Sequence, residues 1–122
     1  MVKRSHAKRR GTRTEYSVRD MFREAGWAVI RSGGSLGPVD LVCMKEGDVV
    51  LVQVKRKAGR PLYIADGVPQ RLQGFRVMLV VDFGRGNLRV TPRRHKVKPQ
   101  DGIPLREFLA SHRAGRTGQV CR

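Results

Sequence analysis

Two apolar runs separated by only two residues set the strongest constraint on this chain. VDLVCMK runs from Val39 to Lys45 and DVVLVQVKRK from Asp48 to Lys57, with Glu46 and Gly47 between them. Both runs are rich in β-branched residues, so each reads as a strand. A two-residue connection joins such strands as an antiparallel hairpin and fixes their register. With Lys45 opposite Asp48, the pairing extends outward and places Asp40 opposite Gln53. Side chains alternate along a strand. Asp40, Val42 and Met44 therefore share one face, and Gln53 and Lys55 share a face of the partner strand. Val50, Val52 and Val54 take the other face. Directly opposed residues point to the same side, with Cβ atoms about 5 Å apart. A carboxylate, an amide and an ammonium group thus converge within an otherwise apolar hairpin. A bulge or a three-residue turn would break this register.

The rest of the chain supplies the scaffold. Thr12 or Thr14 is placed to cap a helix that runs to about Ala25 and is stopped by Gly26. Its apolar stripe is Val18, Met21, Phe22 and Ala25. Trp27 to Arg31 reads as a first strand and SGGSLGP, from Ser32 to Pro38, as a loop. Ala58 to Pro61 reads as a loop, and Gln70 to Phe75 as a short helix following Pro69. Val77 to Phe83 is a continuous apolar run, as in a buried strand. GRGN then turns into a short strand from Leu88 to Thr91, and a helix is expected from Ile103 to His112. This order predicts an α/β fold, a mixed sheet of about five strands flanked by helices. A chain of 122 residues holds one domain. The expected division is a flexible basic arm over 1–13, a globular domain over 14–113 and a disordered tail over 114–122.

Charge points to the partner. Lys and Arg number 26 against 10 Asp and Glu, a formal charge of +16, which is tolerated best beside a polyanion. The expected phosphate contacts are Lys3, Arg4, Lys8, Arg9, Arg10, Arg13, Arg31, Arg56, Lys57 and Arg60. A second basic cluster holds Arg93, Arg94, His95, Lys96 and Lys98. No apolar run approaches the ~20 residues that span a bilayer, so no membrane partner is expected. Gly33, Gly34 and Gly37 form no nucleotide-binding fingerprint, so no nucleotide cofactor is expected. Cys43 and Cys121 support neither a disulfide framework nor a zinc site, and a reducing cytoplasm is the natural setting (a host's, for a viral gene). His6, His95 and His112 lack paired ligands and read as phosphate contacts or bystanders. Trp27 and Tyr63 read as packing residues.

Glu15 adds a fourth polar group, at the N-terminal end of the helix face that carries Val18, Phe22 and Ala25. It reads equally as a carboxylate that favours the helix dipole. Asp40 and Lys55 also have ordinary alternatives, as a strand-start residue and a solvated edge charge. Together the four ask for a shared explanation. A hard cation held by one or two carboxylates is one.

The run from Glu15 through Gly26, Trp27, Arg31 and the Gly-Ser loop, then V-D40-L-V and V-Q53-V-K55, resembles the archaeal-type Holliday junction resolvases. These belong to the restriction-endonuclease-like nuclease superfamily. The likeness is good from about Arg13 to Lys57. Beyond it the chain looks shortened where the family carries a second long helix. The resemblance implies a restriction-endonuclease-like fold and a homodimer that cuts branched, four-way DNA by metal-dependent phosphodiester hydrolysis. Mg²⁺ would be the cofactor, with Mn²⁺ able to substitute. It implies Asp40 as central metal ligand, Gln53 as a ligand where most members have a glutamate, and the Val54 carbonyl as another. Lys55 would polarise the attacking water, Glu15 would bind metal through water, and Ser35 would touch the scissile phosphate. Two other readings stand beside it. One is a nuclease of the same fold acting on other DNA, in restriction or repair. The other is a non-catalytic basic DNA-binding protein.

Overall fold

The computed structural model describes residues 6–64 and 70–111, with the backbone alone over 6–12. The chain opens with helix α1 (His6–Glu24), followed by β1 (Ala28–Arg31), β2 (Leu41–Lys45) and β3 (Asp48–Arg56). Next come β4 (Leu62–Tyr63), β5 (Arg71–Leu72), β6 (Phe75–Asp82), β7 (Leu88–Pro92), β8 (Lys96–Val97) and β9 (Ile103–Pro104). Helix α2 (Leu105–Ser111) closes the described chain. Seven strands form one sheet in the order β1-β2-β3-β6-β7-β9, with β5 also paired to β6, and β4 and β8 form a separate ribbon. β3 and β6 run parallel and their neighbours antiparallel, so the sheet is mixed, as expected.

The hairpin register is the one the turn dictates. Glu46 and Gly47 both have positive φ, 52° and 87°, as a two-residue primed turn requires. Lys45 pairs with Asp48 and the ladder runs without a bulge to Leu41 opposite Val52. The end of α1 follows its sequence signal too. Gly26 takes φ 97°, and the Trp27 N–H donates to the Phe22 carbonyl at 3.0 Å, closing the helix in a Schellman arrangement. Trp27 is buried edge-to-face on Phe22, as expected of a core residue.

Both helices pack on one face of the sheet. Val18 and Phe22 of α1 and Leu105 and Leu109 of α2 meet Leu41, Cys43, Val50, Val52, Met78, Val80 and Val90 there. Burial pushes the Cys43 thiol up to about 12, so it is a small apolar side chain in practice. The opposite face carries Val39, Leu51 and Val77 in one cluster, and Leu79, Val81 and Phe83 under Leu62 and Val97 of the ribbon in another.

Several boundaries differ from expectation. α1 begins at His6, so residues 6–13 are helical where a flexible arm was expected; Thr14 is a buried helical residue rather than a cap. The remaining arm, 1–5, and the tail from residue 112 lie outside the described residues. The expected helix over Gln70 to Phe75 is a hairpin. Gln73 and Gly74, at φ 53° and 86°, make a second primed turn between β5 and β6. The β3-to-β6 crossover, ordinarily a helix between parallel strands, holds β4 and β5 instead among the described residues. The last helix starts at Leu105, because Ile103 and Pro104 pair with β7.

Candidate active site

The site forms where β2 stops and β3 continues. β3 has nine residues and β2 five, so beyond Val52 the ladder from β2 is gone. Asp40 stands one residue outside β2. Its N–H donates at 2.8 Å to the carbonyl of Val52, the residue already opposite Leu41, so Asp40 slips one residue out of the ladder and the expected opposition to Gln53 is not formed. Its carboxylate then accepts the Val54 N–H at 2.8 Å. The carboxylate takes the place of the missing strand for one backbone donor. A residue's N–H and C=O lie on the same edge of a strand, so the Val54 carbonyl lies on the edge that β2 vacates, beside Asp40.

The electrostatics of Asp40 show what surrounds it. Burial holds its carboxyl above the ordinary carboxylate range, against the opposing effect of the Val54 N–H. The charge of Glu15 pushes it further up, while Lys55 and Arg31 pull it down. Glu15, Lys55 and Arg31 are thus close enough to act on Asp40 through space, and the four groups expected to converge include three that do. Glu15 is not a simple helix-end carboxylate. Its Oε2 accepts the Arg31 Nε–H at 2.6 Å, and the Arg31 guanidinium lies 4.8 Å from the centre of the Tyr16 ring. That hydrogen bond and the Glu15 charge raise the Arg31 pKa, so Arg31 is a fixed cation at the rim. Lys55 is exposed near the end of β3, where its charge acts on Asp40.

Gln53 is the exception. It alternates onto the Lys55 face of β3, but it is only 4% exposed, and its Oε1 accepts the Arg93 Nε–H at 2.9 Å. The oxygen expected to face a metal is engaged by a buried guanidinium. Arg93 was grouped by sequence with a solvated basic cluster, yet it is 8% exposed. The signal that could have found it is alternation. Thr91 is buried, Pro92 exposed and Arg93 buried, continuing β7 with period two onto the Gln53 face.

The glycine loop is closed at its base. The Ser32 N–H donates to the Asp40 carbonyl at 2.9 Å, and the Ser32 hydroxyl donates to the Val39 carbonyl. Ser35 is exposed, and its hydroxyl donates to the Ser32 carbonyl at 2.7 Å rather than into the carboxylate cluster. Of the expected phosphate contacts, Arg13, Arg31, Lys57 and Arg60 are exposed. Arg56 is tied to Asp82 at 3.0 Å. Lys8, Arg9 and Arg10 sit on the first turns of α1, and Lys3 and Arg4 lie outside the described residues. Tyr63, expected to pack, is 69% exposed, with the Lys96 ammonium 5.4 Å from its ring centre.

Among the described residues, no three or more His, Cys, Asp or Glu side chains gather to hold a metal. The donor set is two carboxylates and a free-edge carbonyl. That fits magnesium, which keeps several waters and needs only one or two carboxylates. It lacks the His and Cys groups that dominate zinc sites. Burial and the neighbouring Glu15 both disfavour the Asp40 charge, and a bound cation would relieve both.

A mixed sheet with a carboxylate where one strand ends and a lysine on the next strand defines a restriction-endonuclease-like protein. The sequence model of the archaeal Holliday junction resolvase family matches residues 6–116, well beyond the 13–57 stretch that carries the motifs. This chain belongs to that family. It is 36% identical over 59 residues to a crossover junction endodeoxyribonuclease of Methanocaldococcus jannaschii; the match spans 48% of this chain and 44% of that relative. The fold matches the solved structure of a Holliday junction resolvase from the hyperthermophile Archaeoglobus fulgidus with a TM-score of 0.69. That match covers 85% of this chain and 98% of the other at 24% identity, and it supports the fold alone.

Proposed function

We propose that this protein is a magnesium-dependent endonuclease that resolves four-way DNA junctions in the cytoplasm by paired nicks. The observation that carries the reading is Asp40. It is a half-buried carboxylate held by the Val54 N–H, beside a free-edge carbonyl and within the fields of Glu15 and Lys55. Asp40 and the Val54 carbonyl would hold the cation, with Glu15 reaching it through water. The cation would supply Lewis-acid stabilisation of the phosphodiester as it is attacked. Lys55 would orient the attacking water and neutralise the phosphate. Arg31, fixed by Glu15 and Tyr16, would meet a phosphate oxygen at the rim.

Shape rather than sequence would select the substrate. Phosphate contacts position a protein without reading bases, and the described residues are taken up by one nuclease fold. The test is cleavage of a four-way junction beside a linear duplex of the same sequence, with and without magnesium. The expected result is two symmetric nicks in the junction, a largely intact duplex and no cleavage without metal. Equal cutting of both substrates would point to a nuclease of the same fold with another DNA target. No cutting of either under any metal would leave a basic binding protein.

Two nicks in a symmetric junction call for two sites, hence a homodimer. The helix-free face offers a surface: Ile30 on the edge strand β1 and Phe75 on β6 are 56% and 45% exposed there, beside half-buried Val42, Val49 and Leu72. Sedimentation at micromolar concentration should show a dimer, and Ile30→Lys should shift it toward monomer. A monomer both free and on a junction would contradict the paired-nick reading.

A further inference from the structure

We propose that Arg93 sets the metal affinity of this centre by holding the Gln53 amide oxygen away from the cation, an inference that rests on the nuclease reading of Asp40. The rows of the sheet show the geometry. On the helix-free face, Gln53 lies beside Leu79 and then Thr91, while Leu51 lies beside Val77. Arg93 follows Thr91 by two residues and continues the Leu51–Val77 row, its N–H donating to the Val77 carbonyl at 3.1 Å. Gln70 Nε2 donates to the Arg93 carbonyl at 2.8 Å, so the backbone of Arg93 is tied on both sides. Its side chain reaches back to Gln53 across β6. Asp40 stands on the opposite side of β3, toward β2. The Gln53 oxygen is therefore claimed from the flank away from Asp40.

The chemistry of the pair fixes this orientation. A guanidinium only donates, so it selects the oxygen end of the amide and turns the Nε2 end elsewhere. The bond is charge-assisted and buried, which makes it stronger than one between neutral groups in water. A glutamate at position 53 would form an ion pair with Arg93 and be held the same way. Arg93 thus acts through Gln53 as a positioning residue. The centre keeps Asp40 and the Val54 carbonyl as direct ligands and forgoes a third.

The test is Mn²⁺ binding without DNA, by calorimetry and by electron paramagnetic resonance, on the full chain. Gln53→Ala should bind within about twofold of wild type, the agreement expected where no direct ligand is lost. Arg93→Met should bind about tenfold more tightly, the lower range of what an outer partner of a ligand is worth. Arg93→Lys keeps the charge but removes the Nε donor, and should also tighten binding. In the Gln53→Ala background neither Arg93 change should tighten it by more than about twofold. Gln53→Glu with Arg93→Met should bind tightest. Weaker binding by Gln53→Ala would show Gln53 already to be a ligand and overturn the proposal; this variant decides even if the Arg93 variants do not fold. An equal gain from Arg93→Met in both backgrounds would reduce Arg93 to a distant charge and overturn it as well. Failure of the nuclease reading looks different: no Mn²⁺ binding in any variant, and no change on Asp40→Asn.

Discussion

Asp40→Asn should abolish junction cleavage while leaving junction binding nearly intact. Metal stabilisation of the transition state is worth several kcal/mol, and each 1.36 kcal/mol is tenfold in rate, so a loss of about 10³-fold or more is expected. Affinity comes from the basic surface and does not need the carboxylate. The fold should survive, because an asparagine oxygen can still accept the Val54 N–H that Asp40 now accepts. Burial raises the Asp40 pKa, so the ionised form is disfavoured in the folded state at every pH above the unfolded carboxyl range. Removing the charge should therefore hold or raise the melting temperature at neutral pH in the absence of metal. Single-turnover cleavage, a binding titration and a thermal melt check the three parts. Cleavage at the wild-type rate would place the active site elsewhere.

Junction affinity should fall steeply with salt. Neutralising six to ten phosphates costs about 10³ to 10⁵ in affinity between about 50 and 200 mM salt, as condensed counterions are released. The net charge of +16 makes that number of contacts reasonable, and Lys55, Lys57, Arg60, Arg94 and Lys96 are exposed to make them. Lys57→Ala and Arg60→Ala should each reduce the slope of log affinity against log salt by about one. Asp40→Asn should leave the slope nearly unchanged, which separates metal binding from phosphate binding. A flat salt response would contradict an electrostatic grip on DNA.

How far the sequence spoke depended on how local each signal was. The β2–β3 register was legible because two residues between strands leave few turns to choose from. That register carried only as far as Leu41; the one-residue slip that takes Asp40 out of line with Gln53 and gives its carboxylate to the Val54 N–H needed the structure. β4, β5, β8 and β9 were not legible, since two-residue strands carry no period. The Gln73–Gly74 turn had a readable glycine, but Pro69 drew the reading toward a helix start. Gln53 could be placed on a face, yet its partner Arg93 is 40 residues away. A long-range bond of that kind leaves no pattern in the intervening chain. Arg31 stands out in the sequence by charge alone, and nothing local foretells that Glu15 and Tyr16 fix it.

The mismatch in length between β2 and β3 bears on how an inactive form of the protein should be made. Past Val52, β6 is the one strand beside β3 among the described residues; on the other side the Asp40 carboxylate takes the Val54 N–H, and the rest of that edge is a template on which a second chain could add a strand. Lys55 and Arg56, both exposed, guard that template, since charged side chains deter such pairing. Lys55, which would serve hydrolysis, is thus also a gatekeeper against self-association. Neutralising Lys55 to kill the enzyme would strip a guard from the edge and invite insoluble protein. Changing Asp40 leaves both guards in place, and it is the safer route to a soluble, cleavage-dead reagent for trapping junctions.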